Sequence, residues 1–489
     1  MIIKKDPDFI RSYLEDSSNL KGGYADEVWI PSGEDELSEF IKNANSLKIP
    51  VTISGGGTAT TGSRIPFGGV VISMEKLNRI IDISHSKKST IVQTGVLVDD
   101  LKKECENKGL FYTSHPTERT ASVGGTVATN ASGSRSLKYG PTRNYVNRLK
   151  MVLPTGEIYE IRRGEKFIDN ADRKITVPGR GVIEIPLPSY RMPEVKNSAG
   201  YFARPGMDLI DLFIGQEGTL SVITEIEMGL VRKPESILSS FVFFDDALDA
   251  RSFAKAAKKE AGILSIEYFD SNSLKLLRGK CPNVPPEKGA AIFFEQEIAR
   301  NEGDSIIEKW ASLIEGNKSS LDDTWVAMNE NDARLFTDIR HAMPESVNDL
   351  YRKRGFRKLS TDIAVPDDRF DEMMDFYVYS FAKEALDHVI FGHIGESHVH
   401  VNILPGSAEE EAKARDLSME FVRKALSLRG TVSAEHGIGK LKHRYLEEMY
   451  GKSGILEMVR IKKAFDPNCI LGLDNMFPRE YLKLIPEVL

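Results

Sequence analysis

The chain has 489 residues, too many for one simple core, so two or three domains are expected. Its 41% hydrophobic and 28% charged residues are those of a soluble globular enzyme, and a net charge of -7 excludes a dedicated nucleic-acid binder, which needs a basic face. Cys105, Cys281 and Cys469 form no CxxC, which excludes a disulfide frame and an iron–sulfur motif; with no apolar run of about 18 residues and no signal-peptide stretch, the protein reads as cytoplasmic, spanning no membrane but open to peripheral association with one.

In chain order, residues 34–48 have the spacing of an amphipathic helix that ends before Pro50. Residues 50–54, 69–73 and 90–94 read as short strands, and 98–109 as a helix stopped by Gly109. Short strands, few helices and many glycines continue to about residue 232, the texture of an α+β domain rather than a regular βαβ array. From about 236 strands (239–244, 264–269, 290–295) alternate with helices (246–260, 303–315), which suits an antiparallel sheet covered by helices. The basic cluster Arg352 to Lys358 fits either a solvated loop or a docking patch. The last 60 or so residues return to glycine-bearing motifs, so the chain is expected to come back to the active site.

Two glycine segments carry chemistry. Ser54-Gly55-Gly56-Gly57-Thr58-Ala59-Thr60-Thr61-Gly62 follows a strand, and its glycines let backbone amides approach a phosphate. It is neither a Rossmann fingerprint nor a Walker loop, and alone it reads equally well as a flexible surface loop. Residues 116–140 set Gly124, Gly125, Asn130 and Gly133 among Ser, Thr and Ala, small residues that pack under a large planar group.

Four of the nine histidines fall in two motifs, Gly392 to Asn402 (GHIGESHVHVN) and Ser433 to Lys440 (SAEHGIGK). His398, His400 and Asn402 alternate, so on a strand they share one face. Imidazoles with one carboxylate are a ligand set for zinc with a position left for substrate.

Taken together, SGGGTATTG, PTERTASVGGTVATNASGSRSLKYG and DLFIGQEGTLSVITE (211–225) resemble, in order and over nearly the whole chain, the FAD-binding PCMH-type (vanillyl-alcohol oxidase) family. The histidine motifs are similar to GHxGDGNxHxN and SGEHGIGxxK of its D-lactate dehydrogenase, D-2-hydroxyglutarate dehydrogenase and glycolate oxidase members. The resemblance implies an α+β fold: a PCMH-type FAD-binding domain of two α+β subdomains (1–235), a substrate domain with a helix-covered antiparallel sheet (236–420), and a C-terminal segment returning to the site (421–489). It implies that Ser54, Gly55, Gly56, Gly57, Thr58 and Ala59 cradle the FAD pyrophosphate. Pro116, Ser122, Gly125, Thr126 and Thr129 would line the ribityl chain and isoalloxazine. Glu217, Gly218, Thr219, Val222 and Ile223 would hold the adenosine end, and Asn475 would reach the flavin by its position. Gln216 and Ser221 stand where the family usually has Ser and often Gly. With no histidine in the first glycine loop, FAD is expected to be non-covalent.

By the same resemblance His393, His400 and Glu435 bind a divalent metal, zinc by their chemistry. His436 is the base for the substrate hydroxyl, Asn402 contacts substrate or flavin, and Arg340 meets the substrate carboxylate. Glu396-Ser397-His398 replaces the usual DGN, so His398 joins the metal, replaces a ligand or hydrogen-bonds. Pro344 and Ser360 stand where the family has Thr and Lys, and Gly472 to Asn475 departs from NPGK. The implied reaction is FAD-dependent oxidation of a small D-2-hydroxy acid to the 2-keto acid, with hydride passing to flavin N5. Its electrons go on to oxygen, a quinone, a cytochrome or a partner protein. Two other readings share these motifs: a non-redox flavoenzyme resembling alkyldihydroxyacetonephosphate synthase, and the flavin subunit of a larger complex. A homodimer is compatible with all of them.

Overall fold

The computed structural model of the protein describes residues 2–114, 118–169, 171–299, 303–356 and 358–486. They form two compact units: residues 1–132, 141–232 and 435–489 make the first, and residues 133–140 and 233–434 the second.

The first unit holds two main sheets. In one, the strands run in the order Ile2–Lys4, Glu27–Ile30, Val70–Ser73, Val51–Ser54, the last three parallel. The helix Glu34–Ser46 links two of these strands. It starts after Gly33 with Glu34, Asp35 and Glu36 in its first turn, where the helix dipole favours negative charge. Its Leu37, Phe40, Ile41 and Ala44 recur at helical spacing and pack with Trp29, Val51, Val70 and Ile72. Ile470 and Leu471 join that cluster, because the C-terminal segment runs along the sheet edge: Val51 N donates to Ile470 O at 2.7 Å, and Gly472 N to Val51 O at 2.9 Å. The other sheet is antiparallel, in the order Ile80–Ser84, Ser89–Gln93, Val222–Gly229, Val146–Val152, Ile158–Arg162.

The second unit is built on an eight-stranded antiparallel sheet. Its strands run Thr324–Val326, Ser236–Phe244, Ala290–Ile298, Ile263–Asp270, His388–Gly392, His398–Ile403 and Leu359–Ser360, with Ile363–Ala364 also on His398–Ile403. Phe241, Phe243, Phe269 and Phe293 bury against Met343, Val347 and Tyr351 of the helix Glu330–Arg354. Tyr351 OH donates to Ile403 O at 2.6 Å, which fastens that helix beside the histidine strand. Most of the basic cluster expected as a loop or docking patch is the end of this helix. Arg352, Lys353 and Arg354 stand in its last turn, where cations complement the carbonyl end, and Gly355 (φ 76°) terminates it. Arg357 lies outside the described residues. Among the described residues no helix is long and apolar enough to cross a membrane.

Candidate active site

In the first unit the glycine loop leaves the strand Val51–Ser54. A Cβ on Gly55 would stand 2.6 Å from Ser122 Oγ, and one on Gly56 would overlap the Thr120 carbonyl. Gly57 has φ +79° and faces the Arg64 guanidinium, which also donates Nε to Ser54 Oγ at 2.8 Å. The two glycine segments read from the sequence are thus in contact. The second forms a short helix, Val123–Thr129, capped by Ser122 Oγ on Gly125 N at 3.2 Å. Gly124 lets this helix lie against Thr94, where a Cβ would collide. The hydroxyls of Thr126 and Thr129 donate to the helix's own carbonyls, of Val123 (2.7 Å) and Gly125 (3.0 Å). Pro116 lies outside the described residues. Thr58 and Ala59 continue the loop, half-buried.

The third segment is held by the returning chain. Glu217, in the left-handed region at φ 53°, is buried, and its carboxylate accepts the amides of Ile438 and Gly439, each at 2.7 Å. Burial pushes Glu217 up to about 7 although those amides pull the other way. Asn475 donates to the carbonyls of Ser63 (3.0 Å) and Glu217 (2.9 Å) and accepts from Lys440 Nζ at 2.6 Å. Burial lowers Lys440 to about 8. Gly218 has φ +71° and packs on Ile53, while Thr219 Oγ1 donates to Gln216 O at 2.6 Å. Val222 and Ile223, both buried, open the central strand of the antiparallel sheet. Behind them Lys462 Nζ donates to Thr219 O (2.9 Å), Leu471 O (2.7 Å) and Asp466 Oδ2 (2.9 Å).

Glu435 and His436 also belong to the first unit. Glu435 is paired with Lys196 at 2.8 Å, both nearly buried. His436 keeps a third of its side chain exposed, with Nε2 3.6 Å from Glu435 Oε1. Gly437 (φ +73°) and Gly439 (φ +52°) let the backbone turn there, and a Cβ on Gly437 would stand 2.6 Å from Glu217 Oε1.

In the second unit every residue of the strand His398–Ile403 is buried. His398, His400 and Asn402 share a face, and His393 completes a cluster. Its ring centroids are 5.3 Å (His393–His398), 5.6 Å (His393–His400) and 4.7 Å (His398–His400) apart. Each ring has one nitrogen toward an oxygen: His393 Nδ1 is 2.7 Å from Glu267 Oε1, His400 Nδ1 3.3 Å from Thr361 O, and His398 Nε2 3.2 Å from Asp362 Oδ1. Asp362 Oδ2 accepts Ser433 Oγ at 2.6 Å. Arg340 sits with Nη2 3.5 Å from Glu267 Oε1. Asn402 is fully buried, and neither Nδ2 nor Oδ1 finds a hydrogen-bond partner among the described residues. An orphaned buried amide costs about 1–3 kcal/mol per group, and a ligand at this face would satisfy it. The donors are nitrogen and carboxylate oxygen, the chemistry that suits a zinc-like cation.

Sequence reasoning missed Glu267, Asp362, Lys196, Lys440 and Lys462. Glu267 was signalled by a lone acidic residue inside the apolar run Ile263–Phe269, and Asp362 by a carboxylate preceding Ile363-Ala364-Val365. The three lysines carry no such mark.

Residues 25–162 match the FAD binding domain, and residues 233–473 match the FAD linked oxidases, C-terminal domain. The glycolate oxidase subunit GlcD of Bacillus subtilis (strain 168) is 29% identical over 481 residues, covering 97% of this chain and 93% of that protein. D-lactate dehydrogenase of Anaerostipes hadrus is 29% identical (94% and 91% covered), and D-2-hydroxyglutarate dehydrogenase of Stutzerimonas stutzeri (strain A1501) 25% (96% and 95%). Among solved structures, 4-ethylphenol oxidase from Gulosibacter chungangensis superposes with TM-score 0.71 at 16% identity, covering 98% of this chain and 95% of that one. An alkyldihydroxyacetonephosphate synthase gives 0.66 at 16%, covering 98% and 83%. These two likenesses show the fold alone.

A mixed α+β chain with both matched domains is an FAD-dependent oxidoreductase. It belongs to the FAD-linked oxidases, the PCMH-type family that the glycine segments resemble, and FAD is its cofactor.

Proposed function

We propose that the protein oxidises a small D-2-hydroxy acid to the 2-keto acid, with non-covalent FAD as the immediate acceptor and a divalent cation, zinc by its donor set, at the histidine cluster. The observation that carries this reading is the face of His398–Ile403, where buried imidazoles converge beside the orphaned amide of Asn402. The names of the relatives, for glycolate, D-lactate and D-2-hydroxyglutarate, support the substrate class.

His393 and His400 would hold the cation, with Glu435 as the resemblance implies. When bound, the cation lowers the pKa of the substrate hydroxyl, and FAD supplies the redox chemistry. His436 takes the hydroxyl proton; its partly exposed ring can pass that proton on to water. Arg340 meets the substrate carboxylate. A guanidinium has five donors, so contact with Glu267 does not exhaust it. Asn402 offers its amide to the substrate. Ser54, Gly55, Gly56 and Gly57 bring backbone amides to the FAD pyrophosphate, and that loop carries no histidine through which the flavin could be attached.

Anaerobic mixing with D- and L-lactate, glycolate and D-2-hydroxyglutarate tests the reading, with metal content measured on the same sample. Flavin bleaching by a D-acid or glycolate, with keto acid formed and one metal per chain, is expected. His436→Ala should slow that bleaching by about 10²–10⁴-fold with FAD and metal retained. No bleaching by any of these acids overturns the substrate class, and a metal-free active enzyme overturns the cation.

A further inference from the structure

We propose that His398 is a third imidazole ligand of the cation and that Asp362 is its positioning residue; this rests on the metal reading above. His398 stands where the resembled pattern has Asn, so the resemblance does not supply this role.

The ring separations carry the argument. A zinc–nitrogen bond of about 2.0–2.1 Å puts each ring centroid about 3.2 Å from the ion. Two imidazoles on one ion then have centroids about 4.5 Å apart at a right angle and about 5.5 Å apart at 120°. The three observed separations, 4.7, 5.3 and 5.6 Å, fall in or at the edge of that span. A ring nitrogen of His393 and one of His398 lie within 4.8 Å of each other.

Tautomers agree. A neutral imidazole with its proton on the nitrogen that faces an oxygen carries its lone pair on the other. Glu267 and the Thr361 carbonyl therefore set Nε2 of His393 and His400 as the ligating atoms, and the negative charge of Asp362, 3.2 Å from Nε2 of His398, favours a proton there and leaves Nδ1 to ligate. Asp362 is itself fixed by Ser433 Oγ, and both it and His398 are buried. A third imidazole moves the site away from magnesium-like cations and toward zinc, copper or nickel.

The test uses the FAD-loaded full chain, with zinc affinity measured by chelator competition and the visible spectrum of the cobalt-substituted enzyme recorded. His398→Asn is expected to keep FAD, to bind zinc about tenfold or more weakly, and to change the cobalt bands. Asp362→Asn should weaken zinc by a smaller factor and leave the cobalt bands closer to wild type. Should His398→Asn lose FAD or fold, His398→Gln takes its place with the same expectation. Unchanged zinc affinity and cobalt bands in these variants, while His393→Ala and His400→Ala lose the metal, overturn the role of His398 and leave the metal reading standing. Absence of bound metal in the wild-type enzyme overturns the metal reading, and His398 with it.

Discussion

The side-chain amide of Gln216 donates to Ser221 Oγ at 2.6 Å, and its carbonyl accepts the amides of Leu220 (2.6 Å) and Ser221 (2.8 Å). The two departures from the family pattern in this segment are therefore one device: a long amide threads a buried turn and finds its hydroxyl partner five residues on. Removing it strands two buried N–H groups. Gln216→Ala is expected to lower stability by about 2–4 kcal/mol. A smaller loss in urea unfolding than in a surface control would show that water replaces the amide.

Lys462 and Asp466 are buried and engage two carbonyls and two amides besides each other. Breaking one partner leaves an uncompensated charge, so Asp466→Asn should cost about 3–5 kcal/mol. The double variant Lys462→Met, Asp466→Leu should recover part of that loss. Thermal melts of the three proteins decide it; equal damage from single and double variants would mean that the backbone contacts, not the charges, matter.

Lys440, at about 8, sits below the unfolded-chain value of about 10.4. Across that window the unfolded chain binds more protons, so stability from this group rises with pH. Its burial is a cost below pH 8 that fades as the pH climbs toward 10. The melting temperature of wild type should gain on that of Lys440→Met between pH 7.5 and 10. Parallel profiles would contradict the assignment.

Gly57 combines a positive φ with a contact to Arg64, so any side chain is both strained and obstructed. Gly57→Leu should purify without flavin, read from the 450 nm to 280 nm absorbance ratio, with its far-ultraviolet circular dichroism unchanged. In the wild type, acid precipitation should leave the yellow colour in the supernatant. A full flavin complement in the variant would remove the loop from the cofactor site.

Legibility followed periodicity. Leu37, Phe40, Ile41 and Ala44 announced their helix, and the alternation of His398, His400 and Asn402 announced their shared face. The helix Val123–Thr129 was hidden, because its Gly and Thr are poor helix formers and it exists through the Ser122 cap and the close approach to Thr94. The helix Glu330–Arg354 was obscured by Pro344, which has no N–H for the carbonyl of Arg340. The partners that orient the histidines were out of reach for another reason. Glu267 lies 126 positions from His393, and only a folded sheet brings such positions together.

The backbone bonds from Val51 to Ile470 and Gly472 put a clock on the protein's maturation. The strand Val51–Ser54, which leads into the first glycine loop, is made well before the segment that closes its edge. Loop closure over nearly the whole chain is slow, and until it happens that edge is open to other strands. The strand edge beside that loop is therefore closed only once residues 470–472 are in place. A chain cut before residue 470 is expected to be colourless and prone to aggregate, which its absorbance and light scattering would read.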